Sequence, residues 1–478
     1  MEITKGTVIK SLLWKYLEKS GVQGVSFIVS IVLARLIAPN EFGLIAIVLI
    51  LIELSNVVVD GGFNSALIQK KTPTNSDFST ILYVSLSVSL ILYIIIYISA
   101  PYIASFYSEE RLTNVIRILC LILLIKAFNS VQNAYISKNM LFKKSFLCHF
   151  SASVLSGIIG IFMAYLGYGI WALVAQQITS QLAVCMIMWF YVQWRPSLAF
   201  SKESLSSLFS FGWKVFLTNT VISIFKNVRG LFIGKMFGPS DLAFFERGKH
   251  FPHLIIDNLS STIQAILFPV FSNKQDDSKA VKNMLRRSIK TSSLLVFPAM
   301  IAFIVMAKPI ILLILTEKWL PAVPFVQIFS LAYLLMPMQS ANTQVIIALG
   351  RSDILLKLEM GKKVLELVIL IVSLMFGVYA VAWGIVLYTT LCLFINLYPN
   401  RHLIDYGYSE QFRDILPSLF ASVTMGVMMW LIGNLADNML LKLFIEAFFG
   451  FLVYLSICYI FKIESFHFVK NLVLKKKN

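Results

Sequence analysis

The chain repeats itself at an offset of about 200 residues, far beyond the period of any stacked-repeat solenoid. Ser11-Leu12-Leu13-Trp14-Lys15 returns as Ser210-Phe211-Gly212-Trp213-Lys214. Each copy leads through a long apolar stretch into a similar turn, Arg35-Leu36-Ile37-Ala38-Pro39-Asn40-Glu41 and Lys235-Met236-Phe237-Gly238-Pro239-Ser240-Asp241. Ala100-Pro101-Tyr102-Ile103 pairs with Lys308-Pro309-Ile310-Ile311, and Gly167-Tyr168-Gly169-Ile170-Trp171-Ala172 with Gly377-Val378-Tyr379-Ala380-Val381-Ala382-Trp383. Two homologous halves are the simplest reading. Of the 478 residues, 58% are hydrophobic and only 14% charged, so the apolar excess needs lipid to face. Together these point to a membrane transporter built from two related bundles.

A spanning helix takes roughly 20 mostly apolar residues, and about fourteen segments qualify: 11–37, 42–63, 79–106, 111–136, 146–166, 170–192, 206–234, 243–270, 288–314, 324–349, 354–376, 379–400, 412–433 and 440–461. The expected fold is therefore an all-α integral membrane protein. Spans one to six match spans seven to twelve, and six is even. The copies thus insert with the same orientation, related by a pseudo-twofold axis along the membrane normal. The expected organisation is a six-helix bundle at 1–192, a linker at 193–204, a second six-helix bundle at 205–400, and two extra helices with a basic tail at 401–478. With the N-terminus in the cytoplasm, the connections on that side carry Lys70, Lys71, Lys138, Lys143, Lys144, Lys274, Lys279, Lys282, Arg286 and Arg287 among others, and the tail adds Lys470 and Lys475 to Lys477. The opposite connections carry few cations, so both termini are expected in the cytoplasm.

That bias also explains most of the net charge of +17 without invoking nucleic acid. The five cysteines lie in apolar stretches without CxxC or metal-type spacing, and no HExxH or Cys/His cluster accompanies His250 and His253. No metal is expected. The first apolar segment holds Lys15, Glu18 and Lys19 and lacks a convincing signal-peptide cleavage site. No connection is long enough for a soluble domain; the longest polar one, 272–288, reads as a basic amphipathic helix at the anionic leaflet.

Charges inside spans cost at least about 2.5 kcal/mol each at the centre, so they usually face a cavity or a partner. At about 100° per residue, Glu53, Asn56, Asp60 and Asn64 fall in one stripe of span two. In span eight, Glu246, His250, His253, Asp257 and Gln264 do the same. These spans are mates under the repeat, which suggests that both line one cavity. On span one, Lys15, Lys19, Ser26 and Ser30 share a face; on span seven, Lys214, Lys226 and Arg229 do. Span eleven adds Lys357, Glu359, Lys362, Lys363 and Glu366, while Lys126 stands isolated in span four. Each has a plainer reading beside it: the lysines near span ends can snorkel to headgroups, and the carboxylates can pair structurally.

The Arg35-Leu36-Ile37-Ala38-Pro39-Asn40-Glu41-Phe42-Gly43 turn, followed by Asp60-Gly61-Gly62-Phe63-Asn64-Ser65-Ala66-Leu67-Ile68-Gln69, resembles the polysaccharide transporters of the multidrug/oligosaccharidyl-lipid/polysaccharide exporter superfamily. These are the Wzx-type flippases for O-antigen, capsule and exopolysaccharide repeat units. The resemblance covers essentially the whole chain, and 33–69 is its most specific part. It implies a protein of the bacterial inner membrane that moves an undecaprenyl-pyrophosphate-linked oligosaccharide from the cytoplasmic to the periplasmic leaflet by alternating access. It implies no enzyme activity. The family has no short catalytic signature that would transfer individual roles.

The residues fit that chemistry. A pyrophosphate needs cations or N–H donors while it crosses. Lys15, Lys19 and Lys214 are the candidates for its capture, and Lys226 and Arg229 for later contact. Asn56, Asn64, Asn219 and Gln264 would serve sugar hydroxyls. Glu53, Asp60 and Asp257 are candidate sites for a coupling proton or sodium ion; no other cofactor is expected. Expected partners are the lipid-linked oligosaccharide, membrane lipids, and a polysaccharide polymerase with its chain-length regulator. The competing readings are a lipid II flippase, a cation-coupled drug exporter and, more remotely, a membrane-embedded polymerase or ligase. The short periplasmic connections argue against the last.

Overall fold

A computed structural model describes residues 5–435 and 438–475, with backbone alone for 5–10, 12, 261, 262, 264–266, 268, 269, 469 and 472–475. Among the described residues the chain is helical, with no strand. The helices run α1 (Lys5–Leu36), α2 (Pro39–Asp60), α3 (Phe63–Gln69), α4 (Asn75–Tyr107), α5 (Leu112–Leu119), α6 (Leu121–Lys138), α7 (Phe142–Tyr165), α8 (Ile170–Tyr191) and α9 (Lys202–Met236). They continue with α10 (Pro239–Ser272), α11 (Ser278–Ile314), a 3-10 turn (Glu317–Ala322), α12 (Val323–Tyr333), α13 (Met336–Ala348) and α14 (Ser352–Leu374). The last are α15 (Val378–Leu403), α16 (Tyr408–Gly433), α17 (Met439–Ile460) and α18 (Glu464–Lys475).

All fourteen expected spans fall on helix. Twelve stretches among the described residues are long and apolar enough to cross a membrane. The two expected spans outside these twelve lie on α10 and α14. On α14, Lys357, Glu359, Lys362, Lys363 and Glu366 exceed the charge that an apolar crossing tolerates; on α10, the apolar C-terminal part includes residues described by backbone alone.

Three expected spans are not continuous. Span two ends at Asp60, because Gly61 and Gly62 both adopt left-handed backbone, at φ 51° and 71°. Such conformations suit glycine and stop a helix. Asn64 therefore lies on a separate short helix and not on the stripe of Glu53, Asn56 and Asp60. Span four breaks at Cys120 between α5 and α6, and span ten between α12 and α13. The basic stretch 272–288 is also different from expectation. From Ser278 it is the opening of α11 itself, capped by Asp277, whose carboxylate accepts from the Ala280 N–H at 2.9 Å.

The chain divides into two compact units, Met1–Ala243 and Phe244–Asn478. In the first, α7 packs on α8 and α1, and α9 packs on α2, α3 and α4. The segment between α8 and α9 is laced along α4: Trp194 donates from Nε1 to Asn75 at 2.6 Å, and the Ser201 N–H donates to Thr80 at 3.0 Å. A capping box between Thr74 and Asp77 starts α4. In the second unit, α11 packs against α12, α13, α16 and α17. Several of its buried amides are linked: Asn342 donates to Gln411 at 2.9 Å, and Asn400 donates to Asn342 at 2.7 Å, while the Asn400 Oδ1 accepts no hydrogen bond. Such a network fixes one packing because an unpaired buried amide is costly.

Candidate transport site

In the first unit, α2 and α9 meet along a seam of glycines. A Cβ on Gly230 would lie 2.6 Å from Ile50 Cδ1, and one on Gly234 3.1 Å from Ile47 Cγ1. One on Gly62 would lie 2.2 Å from the Gly212 carbonyl oxygen. Gly230 and Gly234 form the small-xxx-small spacing that lets membrane helices approach backbone to backbone. One turn before Gly230, this proximity sets Lys226 against Glu53, with Nζ 2.7 Å from Oε1. The side chains keep 62% and 44% of their exposure. The pair is formed but not sealed, so a second anion or cation can reach either partner.

Glu53 has another cationic neighbour. Lys126 on α6 is half-buried and lies within Glu53's electrostatic reach, so it is not isolated as the sequence implied. Farther along α2, Asp60 accepts from Asn64 Nδ2 at 2.5 Å. The glycine break moves Asn64 to another helix yet keeps the two side chains together. The Asn64 Oδ1 is buried and accepts no hydrogen bond.

A second polar locus lies in the same unit, between α1 and α7. A cleft of about 590 Å³ is lined by Lys15, Glu18, Lys19, Gln23, Ser26 and His149. Small residues hold the helices together: a Cβ on Gly157 would lie 2.4 Å from Val29, and Ser26 and Ser153 share a hydrogen bond at 3.3 Å. Lys15 donates to Glu18 at 3.1 Å and also lies 5.5 Å over the Phe142 ring. Glu18 is buried, and its Oε2 has no hydrogen-bond donor. Two ammonium groups, one carboxylate and an imidazole thus meet in one opening. That set can accept an anion on the lysines while the carboxylate exchanges a proton or cation.

Among the sequence candidates, the structure brings together Glu53 with Lys226, Asp60 with Asn64, and Lys15 with Lys19. Lys214 is exposed on α9, and Asn219 and Arg229 are half-buried on the same helix. Asn56 is half-buried on α2, and Asp257 half-buried on α10 in the second unit. The side chain of Gln264 lies outside the described residues. Reading the sequence passed over Glu18, His149 and the Gly230/Gly234 spacing as parts of a site. The last is a visible pattern. The first two gain meaning only when α1 lies against α7.

The family described as polysaccharide biosynthesis protein matches residues 32–324. The teichuronic acid biosynthesis protein TuaB of Bacillus subtilis is 24% identical over 78% of each chain. The lipopolysaccharide biosynthesis protein WzxC of Escherichia coli is 22% identical over 87% of each. The succinoglycan biosynthesis transport protein ExoT of Rhizobium meliloti is 24% identical over 68% of this chain and 66% of its own. Among solved structures, the lipid II flippase MurJ in an inward closed conformation superposes with a TM-score of 0.75 at 14% identity, covering 94% of this chain and 98% of that one. An inward-facing multidrug resistance MATE family transporter of the MOP superfamily gives 0.61 at 16% identity, covering 82% and 98%. The chain belongs to the polysaccharide biosynthesis protein family and has the MOP-superfamily fold; it is a multi-span membrane transporter and not an enzyme.

Proposed function

We propose that this member of the polysaccharide biosynthesis protein family flips an undecaprenyl-pyrophosphate-linked oligosaccharide repeat unit. The movement runs from the cytoplasmic to the periplasmic leaflet of a bacterial inner membrane, with both termini cytoplasmic. The observation that carries this reading is the α1/α7 cleft, where Lys15 and Lys19 share one opening with the polar side chains of Gln23 and Ser26. A diphosphate is a dense anion that loses its hydration in such a cleft, and paired ammonium groups replace it. The names of the relatives concern three different polysaccharides, so the sugar is left unassigned.

The mechanism follows from how the charges are paired. Lys15 and Lys19 take the pyrophosphate first. Lys214, Lys226 and Arg229 on α9 receive it next. Lys226 exchanges the Glu53 carboxylate for the phosphate, which leaves Glu53 to take up a proton or sodium ion. Loading of substrate is thereby linked to loading of the ion, because a ligand shifts a conformational equilibrium only by its differential affinity for the two states. Asp60 and Asp257 are further ion candidates, and Asn56, Asn64, Asn219 and Gln264 serve the sugar hydroxyls. The polyprenyl tail stays in lipid. A polymerase and a chain-length regulator would use the flipped product.

The test is reconstitution in liposomes with a fluorescent undecaprenyl-pyrophosphate oligosaccharide, following leaflet accessibility with and without proton or sodium gradients. Protein-dependent translocation that a gradient accelerates is the expected result. Efflux of a small organic cation without lipid movement would assign the drug-exporter reading instead, and movement of lipid II alone the lipid II reading.

A further inference from the structure

Away from the first unit, two pockets meet where α11, α16 and α18 converge. One, of about 490 Å³, is lined by Arg286, Arg287, Lys290 and Glu464 with Asn283 and Met284. The other, of about 280 Å³, adds Arg413 and Lys462 and shares Arg286, Lys290 and Glu464. Five cations therefore face two carboxylates, Asp414 and Glu464. Asp414 is spent: its side chain is 3% exposed, Arg286 grips it through two hydrogen bonds at 2.6 and 2.8 Å, Tyr406 donates at 2.7 Å, and Lys290 stands at 3.3 Å. Glu464 differs. It is 79% exposed and holds only one end of Lys290, at 2.5 Å. An incoming anion can replace it. Arg287, stacked 3.9 Å from the Phe468 ring centroid, is fixed at the pocket edge.

A third opening settles what kind of anion fits. An apolar slot of about 340 Å³ lies between α10 and α11, walled by Leu259, Ile263, Leu267 and Leu295. It shares Met284 and Arg287 with the first basic pocket. An aliphatic slot that reaches Arg287, with Lys290 in the adjoining basic pocket, has the two-part chemistry of a phospholipid: an acyl chain along the leucines, a phosphate at the cations. A free phosphate would use only half of it. We infer that this junction is a binding site for an anionic membrane phospholipid, its phosphate held by Arg287 and Lys290 in place of Glu464 and an acyl chain in the α10/α11 slot. Basic pockets beside membrane helices are recognised sites for anionic headgroups. The inference concerns bulk lipid and is independent of what the protein transports.

The experiment is native mass spectrometry of the full-length protein released from bilayers of equal phosphatidylglycerol and phosphatidylcholine. Wild type should retain phosphatidylglycerol preferentially. Arg287→Glu changes the local charge by two and should lower that retention about thirtyfold, taking about 1 kcal/mol per charge near a membrane surface. Glu464→Gln should raise it severalfold, a gain that misfolding cannot imitate. A Ser288→Trp variant fills the slot and leaves every charge in place; it should also lower retention. Equal retention of the two lipids, or no gain in Glu464→Gln, would overturn the proposal. So would binding of inorganic phosphate or polyprenyl pyrophosphate that phosphatidylglycerol fails to displace.

Discussion

One charge pair in the first unit and one in the second are both built on helices, but they are held differently. Glu53 and Lys226 touch at 2.7 Å with about half of each side chain open. Asp414 touches Arg286 at 2.6 Å with 3% of its side chain open, and Tyr406 and Lys290 complete its shell. Lys362 in the second unit is likewise buried between Glu359, at 2.5 Å, and Asn396, at 3.1 Å. The distances are alike; the accessibility is not. A saturated, buried pair holds helices in register, and removing one partner strands the other charge. An open pair with spare valence can exchange partners, which is what transport of an anion requires.

The sharpest way to break this contrast is Asp414→Ala. It strips Arg286 of two charge-assisted hydrogen bonds and leaves the buried Tyr406 hydroxyl unpaired, while Lys290 keeps Glu464, and should cost about 3–5 kcal/mol, seen as a large fall in thermal stability and in monodisperse yield. A folded, stable variant would show the cluster to be dispensable. Next comes Lys15→Ala with Lys19→Ala. Two charge-assisted contacts at about 1.5–3 kcal/mol each predict a loss of lipid-linked sugar transport of at least about a hundredfold, with a smaller fall in melting temperature than Asp414→Ala, because both lysines are exposed and Glu18 loses a single hydrogen bond. The triple variant Lys214→Ala, Lys226→Ala, Arg229→Ala tests the later contacts on the same scale, and an unchanged rate would remove α9 from the anion path.

Gly230→Leu tests how the open pair is positioned. The added side chain meets Ile50 and should cost about 1–3 kcal/mol as overpacking, while pulling Lys226 off Glu53. Transport and melting temperature should fall together. Glu53→Gln should cost less than about 1 kcal/mol, as open ion pairs do, yet abolish the response of transport to the ion gradient. The smallest effect concerns Glu464. The Lys290 ammonium beside it holds its carboxyl below the usual glutamate value of 4.5. A carboxyl whose folded value is depressed stabilises the fold above its unfolded value, and that contribution disappears as pH falls through the folded one. Wild type should therefore lose slightly more stability than Glu464→Gln on acidification below the ordinary glutamate range.

Much of the helix pattern is legible from apolar runs alone, since lipid leaves few alternatives to helix. What escapes is where a run breaks. Cys120 carries no proline or glycine at the break to announce it, whereas Pro337 in the first turn of α13 and Gly61-Gly62 do, and the consequence of the glycines for Asn64 follows directly. The basic run before α11 has the composition of an interfacial helix, and only its continuity with the next span shows otherwise. The site divides along the same line. Glu53 and Lys226 each stand out as charges in apolar helices, but their pairing across 173 residues depends on the glycine seam. Glu18 and His149 share a cleft only because α1 and α7 pack together. Asp414 sits near a helix start, where a carboxylate draws no notice, and its role comes from α11 and Tyr406.

The most direct test sets transport against stability in one series. Flipping of the lipid-linked oligosaccharide in liposomes would be measured beside melting temperature for Lys15→Ala/Lys19→Ala, Lys226→Ala and Asp414→Ala. Loss of flipping with stability retained in the first two, and loss of stability in the third, is the predicted result. Normal flipping by stable Lys15→Ala/Lys19→Ala and Lys226→Ala proteins would contradict the assignment of the open charges to the anion path.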